Sequence, residues 1–270
     1  MYFALDFGGT NFRINWTNSL KKIDVIANTL KIKNTGNYKR DSDRIIKIMK
    51  SKSIKANGIA IALPGHFNHE RTVLDCANNL KTWVGKPFFK LLKSEFDCSV
   101  VVNKDSSVAA IGEGLSNTLC ESEFLYITWG TGIGGCVVTT RPKCLPKITT
   151  LNWENTFRQI ETLCSGGHAI TNFGVELKYL NYAQWKVLIK NFVNEVENIC
   201  NKFRLRSIIL GGGITAKRED IVLIIQEELK QRNIKLVKSH LEDFSAIHGG
   251  YALLRSFLND TANPYEMWLK

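Results

Sequence analysis

Two stretches of this chain share one shape. Leu5-Asp-Phe-Gly-Gly-Thr-Asn-Phe-Arg-Ile-Asn-Trp16 and Ile127-Thr-Trp-Gly-Thr-Gly-Ile-Gly-Gly-Cys-Val-Val138 each run as an apolar or β-branched segment, break at glycines and resume as a second such segment. Strand, glycine turn, strand is the pattern of a hairpin. Its return far along the same chain predicts two related lobes, each opening with a hairpin whose tip can face the other. A glycine tip has two readings. It is a plain reversal in which glycine only supplies φ > 0, or it is an anion cradle in which bare backbone N–H groups meet a phosphate that no side chain blocks. The coincidence of two tips with Asp6, Asp105 and Gly211-Gly212-Gly213 favours the cradle.

More familiar phosphate loops do not fit. Gly130-Thr-Gly-Ile-Gly-Gly135 satisfies the GxGxxG spacing after a strand, but the dinucleotide fingerprint needs a helix to start at the glycines. Here Cys136 to Thr140 follows, a β-branched run that prefers a strand, and no second strand ending in an acidic residue comes about twenty residues later. GxxxxGK[ST] is absent, since Gly85-Lys86 is followed by Pro87.

Around the glycines, alternation and run length predict strands at 2–7, 12–17, 23–32, 58–63 and 100–102, with helices over 41–50 and 87–96. In the second half they predict strands at 124–129, 136–140, 207–210 and 234–237. Helices follow near 167–177, 182–202, 219–232 and 244–258. With 270 residues, 44% of them hydrophobic, the chain can bury a full core in one large domain or two smaller ones.

Composition narrows the partners. No run of about eighteen apolar residues and no charged, apolar and small-residue leader appears, so a cytoplasmic protein without membrane contact is expected. The formal charge of +11 permits a nucleic-acid partner. Its lysines are spread singly or in pairs, however, so no nucleic acid is expected and the charge reads as a solvated surface. Seven scattered cysteines without a CxxC pair predict neither disulfides nor structural zinc, and most read as small buried hydrophobes. His66 and His69 have ligand-like spacing but no third ligand nearby, and read as a polar loop. His168 reads as the first turn of a helix.

Taken together these motifs resemble the ROK family of sugar kinases, which includes bacterial glucokinase-like enzymes and belongs to the actin-like ATPase superfamily. Asp6-Phe-Gly-Gly-Thr10 with Asn11 and Arg13 resembles the family's first phosphate motif, and Leu63-Pro-Gly65 its next loop. Ala77-Asn-Asn-Leu80 with Trp83 resembles the segment whose asparagine, Asn79 here, touches sugar hydroxyls. Asn103-Lys-Asp-Ser-Ser-Val-Ala-Ala-Ile-Gly-Glu113 is similar to the signature carrying the catalytic aspartate. Thr128 to Gly135 resembles the second phosphate motif, Ile160-Glu161 to Ser165-Gly166 the segment with a sugar-binding glutamate, and Ile209 to Gly213 the adenosine loop.

The resemblance implies an α/β, two-lobed actin-like ATPase (ribonuclease H-like) fold with an interdomain cleft. Its lobes would be 1–112 plus about 253–270, and 113–252. It implies ATP-dependent phosphorylation of a hexose or amino-hexose, most simply at the 6-hydroxyl, with a homodimer left open as the assembly. Asp105 would be the base and Asp6 would hold Mg²⁺ through water. Gly8, Gly9, Thr10, Asn11, Arg13, Gly130, Thr131, Gly132, Gly211, Gly212 and Gly213 would bind ATP. Gly65, Asn79, Lys104, Asp105 and Glu161 would bind the sugar.

Plainer readings stand beside these: Asp105 as a helix N-cap, Asp6 as a strand-end carboxylate and Arg13 as a surface residue. Lys104 replaces the family's usual asparagine; it could pair with Asp105, meet an anionic substituent or point to solvent. The family's Glu-x-x-His clamp and zinc-binding cysteines are missing, and Glu154 is a candidate substitute for the absent glutamate. These departures motivate the alternative of a ROK-like binding protein impaired in catalysis. Related repressors carry a DNA-binding helix-turn-helix ahead of the first phosphate motif, where this sequence has five residues, so that reading is not expected.

Overall fold

A computed structural model describes residues 1–21, 23–68, 72–116, 122–141, 144–151, 156–259 and 268–269. The chain divides into two compact units, Met1–Gly112 with Ala246–Lys270, and Glu113–Ser245. It passes from one to the other at two points, within the helix Asp105–Leu115 and at the start of the helix Ser245–Leu258.

The first unit is built on a sheet. Its first strand, β1 (Tyr2–Phe7), pairs antiparallel with β2 (Asn11–Thr17), and β2 with β3 (Thr29–Lys33). On its other side β1 runs parallel to β4 (Gly58–Leu63), and β4 to β7 (Val100–Lys104). β5 (His66–Phe67) and β6 (Leu74–Cys76) form a separate small ribbon. The last described residues, Trp268–Leu269, add an antiparallel edge beside β7. All six residues of β4 are buried, as a continuous apolar strand covered on both faces should be. Helices α1 (Tyr38–Lys52) and α2 (Phe88–Phe96) bury Ile45, Met49, Phe88, Phe89, Leu92 and Phe96 into the core of this unit.

The C-terminal helix Ser245–Leu258 approaches α3 (Asp105–Leu115) at a glycine pair. A Cβ on Gly249 would fall 1.8 Å from the Val108 carbonyl oxygen, and one on Gly250 3.2 Å from Ala60 Cβ. Only glycine allows backbone to approach this closely.

The second unit repeats the first sheet's plan. β8 (Glu123–Trp129) pairs antiparallel with β9 (Ile133–Thr139), β9 with β10 (Lys147–Thr150), and β8 runs parallel to β11 (Ser207–Gly211), which runs parallel to β12 (Lys235–Lys238). The orders β3-β2-β1-β4-β7 and β10-β9-β8-β11-β12 therefore have the same directions at every step. This is the structural form of the echo between the two glycine hairpins. The long helix Tyr182–Phe203 opens with a capping box of Asn181 and Gln184 and packs against this sheet. On it Trp129 stacks against Phe192 with ring centroids 4.1 Å apart. Burying one such ring removes about 150–250 Å² from water, worth about 4–6 kcal/mol as an upper figure. That burial pins the strand end from which the second glycine turn leaves.

Three expectations are corrected. The strand expected at 23–32 starts only at Thr29, because Val25 to Asn28 form a turn. Ala27 N–H donates to Asp24 Oδ1, Thr29 Oγ1 to the Val25 carbonyl, and Ile26 is 79% exposed. The helix expected near 167–177 ends at Phe173, where Gly174 takes a left-handed conformation with φ +73°. The strand expected at 136–140 begins at Ile133, so the second tip is Gly130–Gly132 and Gly134 and Gly135 lie in the ladder. The helix Arg158–Cys164 and the strands β5, β6 and β10 had no expectation at all.

Among the described cysteines, Cys136, Cys164 and Cys200 are buried, Cys98 is half-buried, and Cys76 and Cys144 are exposed. Burial pushes the Cys98 thiol up to about 11 and Cys200 up to about 12, which leaves both as inert packing groups. No described helix is long and apolar enough to cross a membrane.

Candidate functional site

In the first unit the candidates gather where parallel strands end. The ladder places Asp6 opposite Ala62 and Ala62 opposite Asn103, so Asp6, Leu63-Pro64-Gly65 and Asn103-Lys104-Asp105 leave the carboxyl ends of three adjacent strands. With strands about 4.8 Å apart, the outer two lie about 10 Å from each other. The carboxyl edge of a parallel sheet is where open α/β folds bind ligands.

Asp6 is 8% exposed and accepts from Arg13 Nη1 at 3.0 Å, so Arg13 leans over the strand end and is no surface residue. The tip Gly8–Thr10 is closed by Gly8 N–H donating to the Asn11 carbonyl, so Asn11 serves here through its backbone. A Cβ on Gly9 would lie 2.9 Å from Asn79 Cβ, which brings Asn79 against the first glycine turn. Gly65 has φ +123° and packs on Cys76 and Ala77, one step from Asn78 and Asn79. Asn34 carries no sequence signal beyond the turn-like Asn-Thr-Gly36. Its Nδ2 donates to the Gly9 carbonyl, its Oδ1 accepts from Gly36 N–H, and its own N–H donates to the Thr10 carbonyl. It braces the tip from outside.

Asp105 opens α3, half-buried, and its Oδ1 accepts from Ser106 N–H at 2.7 Å. Burial pushes its carboxyl above the usual range; the Ser106 N–H and the Lys104 charge pull it back in part. Lys104 itself is half-buried and forms no ion pair with Asp105 among the described contacts.

In the second unit the tip Gly130–Gly132 is held from two sides. Gly166 and Gly167 N–H donate to the carbonyls of Gly130 and Thr131 at 2.9 and 3.0 Å, and the Trp129 indole donates to the Cys164 carbonyl. Glu161 meets the same tip, because a Cβ on Gly132 would fall 2.7 Å from its Oε1. Ser165 caps the helix Gly166–Phe173 through His168 N–H, which places His168 in the first turn as expected. Gly212, at φ +90°, passes so close to the tip's strand that a Cβ would fall 2.5 Å from the Trp129 carbonyl oxygen. Gly211 ends β11, and Gly213 opens a short helix, Gly213–Lys217. Thus Gly130, Thr131, Gly132, Glu161 and Gly211–Gly213 form one cluster. Glu154 and His69 lie outside the described residues.

Glu113 closes the motif that begins at Asn103, but the sequence assigned it no role. This buried carboxylate, 1% exposed, accepts from Ser239 Oγ, Ser245 Oγ and the N–H groups of His240 and Leu241. The nearest available signal was an acidic residue inside an otherwise apolar helix.

A sequence profile of the ROK family matches residues 2–142. The chain belongs to the ROK family. Comparison with curated protein sequences finds no match. Among solved structures, a ROK family glucokinase from Streptomyces griseus in complex with glucose and AMPPNP superposes with a TM-score of 0.73 at 17% identity, over 94% of this chain and 99% of that one. An inorganic polyphosphate/ATP-glucomannokinase from Arthrobacter gives 0.70 at 18% identity, over 96% and 98%. A ROK family transcriptional regulator, a homolog of the E. coli MLC protein, gives 0.68 at 15%, over 96% of this chain and 78% of that one. This ROK protein therefore has the mixed α/β, two-unit fold of the actin-like ATPases.

Proposed function

We propose that this ROK protein phosphorylates the 6-hydroxyl of a hexose or amino-hexose with ATP, with Asp105 as the base. The observation that carries the reading is the ladder alignment of Asp6, Gly65 and Asp105 at adjoining strand ends, with the Asp105 carboxyl raised by burial. Phosphoryl transfer asks the protein for alignment, charge neutralisation and acceptance of one proton.

Asp105 suits the last task. A base works best when its pKa approaches the working pH, and burial moves this carboxyl in that direction. Asn79, beside Gly9, and Glu161, beside Gly132, would orient vicinal hydroxyls, each able to satisfy two. Lys104 would face the sugar next to the base.

The residues fit ATP and Mg²⁺. Nothing lies within 4 Å of where a Cβ on Gly130 or Gly213 would sit, so backbone there is open to a phosphate or a ribose. No three His, Cys, Asp or Glu side chains cluster among the described residues. A single strand-end carboxylate nonetheless suits Mg²⁺, which keeps several waters and takes remaining ligands from substrate phosphates. Asp6 would hold it through water, and the bound ion supplies charge neutralisation on the phosphates. Each glycine tip would present backbone N–H groups to phosphate, and Arg13 would add charge beside the first.

A coupled ADP-release assay over a panel of neutral hexoses and amino-hexoses tests the proposal. Sugar-dependent ADP release supports it. ATP binding with no turnover on any sugar supports the impaired-relative reading, which Lys104 and the missing clamp favour.

A further inference from the structure

Beside the first glycine tip lies a groove of about 200 Å³ lined by polar residues, among them Asn34, Asn78, Asn79, Lys81 and Thr82, over the apolar Leu80 and Trp83. Whole-ligand pockets run to about 300–1,000 Å³, so this one is sized for part of a ligand. Asn78, Asn79, Lys81 and Thr82 are exposed, and none of their side chains has a hydrogen bond or ion pair among the described residues. Their polar groups are therefore not spent on the fold.

At the floor, Trp83 is 2% exposed within a ring cluster of Phe7, Phe12, Tyr38 and Phe88, and its indole N–H is buried without an acceptor. A buried unpaired donor costs about 1–3 kcal/mol. Of the side chains lining the groove only Lys81 is charged, no Asp or Glu lines it, and the Asn78 and Asn79 amides and the Thr82 hydroxyl offer donors beside that cation. An uncompensated cation flanked by groups that can donate favours a negatively charged guest.

We infer that this groove seats an anionic substituent, a carboxylate or a phosphate, of the sugar whose acceptor hydroxyl Asp105 activates. The inference rests on the kinase reading above. Its location follows from Asn79, which lines the groove and also meets Gly9, and from Asn34, which lines it while holding the Gly9 carbonyl. One wall thus belongs to the phosphate tip and the other to the sugar segment. Lys81 is the specificity-determining cation, with Asn78 and Thr82 beside it.

The test compares four sugars with a free 6-hydroxyl: glucose and N-acetylglucosamine as neutral probes, N-acetylmuramic acid for the carboxylate and glucose 1-phosphate for the phosphate. Each is assayed with wild type and Lys81→Met, a substitution at an exposed position outside the catalytic set. At low salt the variant is expected to raise KM for at least one anionic sugar about five- to tenfold, the worth of one part-exposed charged contact, with kcat within about twofold. The neutral sugars should be unaffected, and the effect should shrink with added salt. The carboxylate and phosphate arms identify which anion fits. Equal KM changes for neutral and anionic sugars, or none for any, overturn the inference. If no sugar is phosphorylated, the kinase reading fails alone, and calorimetric titration of the same sugars still decides the groove. Tighter binding of an anionic sugar that Lys81→Met abolishes upholds it, and no preference for anionic sugars rejects it.

Discussion

Asp105 separates two accounts of the same residue, a helix-capping carboxylate and a proton acceptor, and Asp105→Asn distinguishes them. Asparagine caps a helix about as well as aspartate and keeps an oxygen for the Ser106 N–H, so the capping account predicts little change of any kind. The base account predicts a rate loss of about 10²–10⁴, or about 2.7–5.5 kcal/mol of lost transition-state stabilisation. Stability should move the other way. Because burial raises the folded-state pKa of Asp105 above its unfolded value, the stability this group lends is complete below the unfolded value near 3.8 and is lost as pH rises through the folded one. At neutral pH the ionised side chain therefore opposes folding, and asparagine removes that opposition. The variant should melt at or above the wild-type temperature at pH 7 and lose this advantage in acid. Asp105→Ala is the control: it also loses the cap, about 1 kcal/mol or about 2–4 °C. Steady-state kinetics and thermal melts at pH 4 to 8 are the assays. An Asn variant with wild-type turnover, or one that is inactive only because it melts early, refutes the reasoning.

Further expectations follow from the same geometry. The wild-type pH profile of kcat/KM should fall on the acid side with an apparent pKa above the ordinary 3.8, since Asp105 must be ionised to accept a proton; a limb at or below that value contradicts the burial argument. Asn34→Ala, which frees the Gly9 carbonyl and Gly36 N–H, should cost about 1–2 kcal/mol by urea unfolding and raise KM for ATP. Gly249→Ala must push a methyl into the Val108 carbonyl and should cost at least about 1–3 kcal/mol, read as a lowered melting temperature. Glu113→Gln puts an amide NH₂ among four donors, and denaturant unfolding should show a loss of at least about 1.5–3 kcal/mol.

What could be read from the sequence was local and periodic. The two glycine hairpins, the continuous apolar strand at 58–63 and the long amphipathic helix near 182–202 each carry their pattern in consecutive residues, and the structure forms all three. The shared strand plan of the two units was legible only because two hairpins echo each other; the pairing directions of β4, β7, β11 and β12 are long-range facts. The misplaced start of β3 shows how side-chain bonds override β propensity, since Asp24 and Thr29 fold an apolar run into a turn. Asn34 was illegible for a related reason. Its role depends on meeting Gly9, which lies 25 positions away in sequence. Lys81 and Asn78 likewise looked like ordinary surface residues until the groove placed them on one wall.

The most direct measurement follows the phosphorus itself. Purified protein, Mg²⁺, ATP and a 6-hydroxy sugar are observed together by ³¹P NMR. The account predicts that the γ-phosphate signal of ATP declines while a sugar 6-phosphate resonance coupled to the C6 protons grows in step, and that neither changes with Asp105→Asn. Growth of inorganic phosphate alone, or an unchanged ATP spectrum with every sugar of the panel, contradicts it.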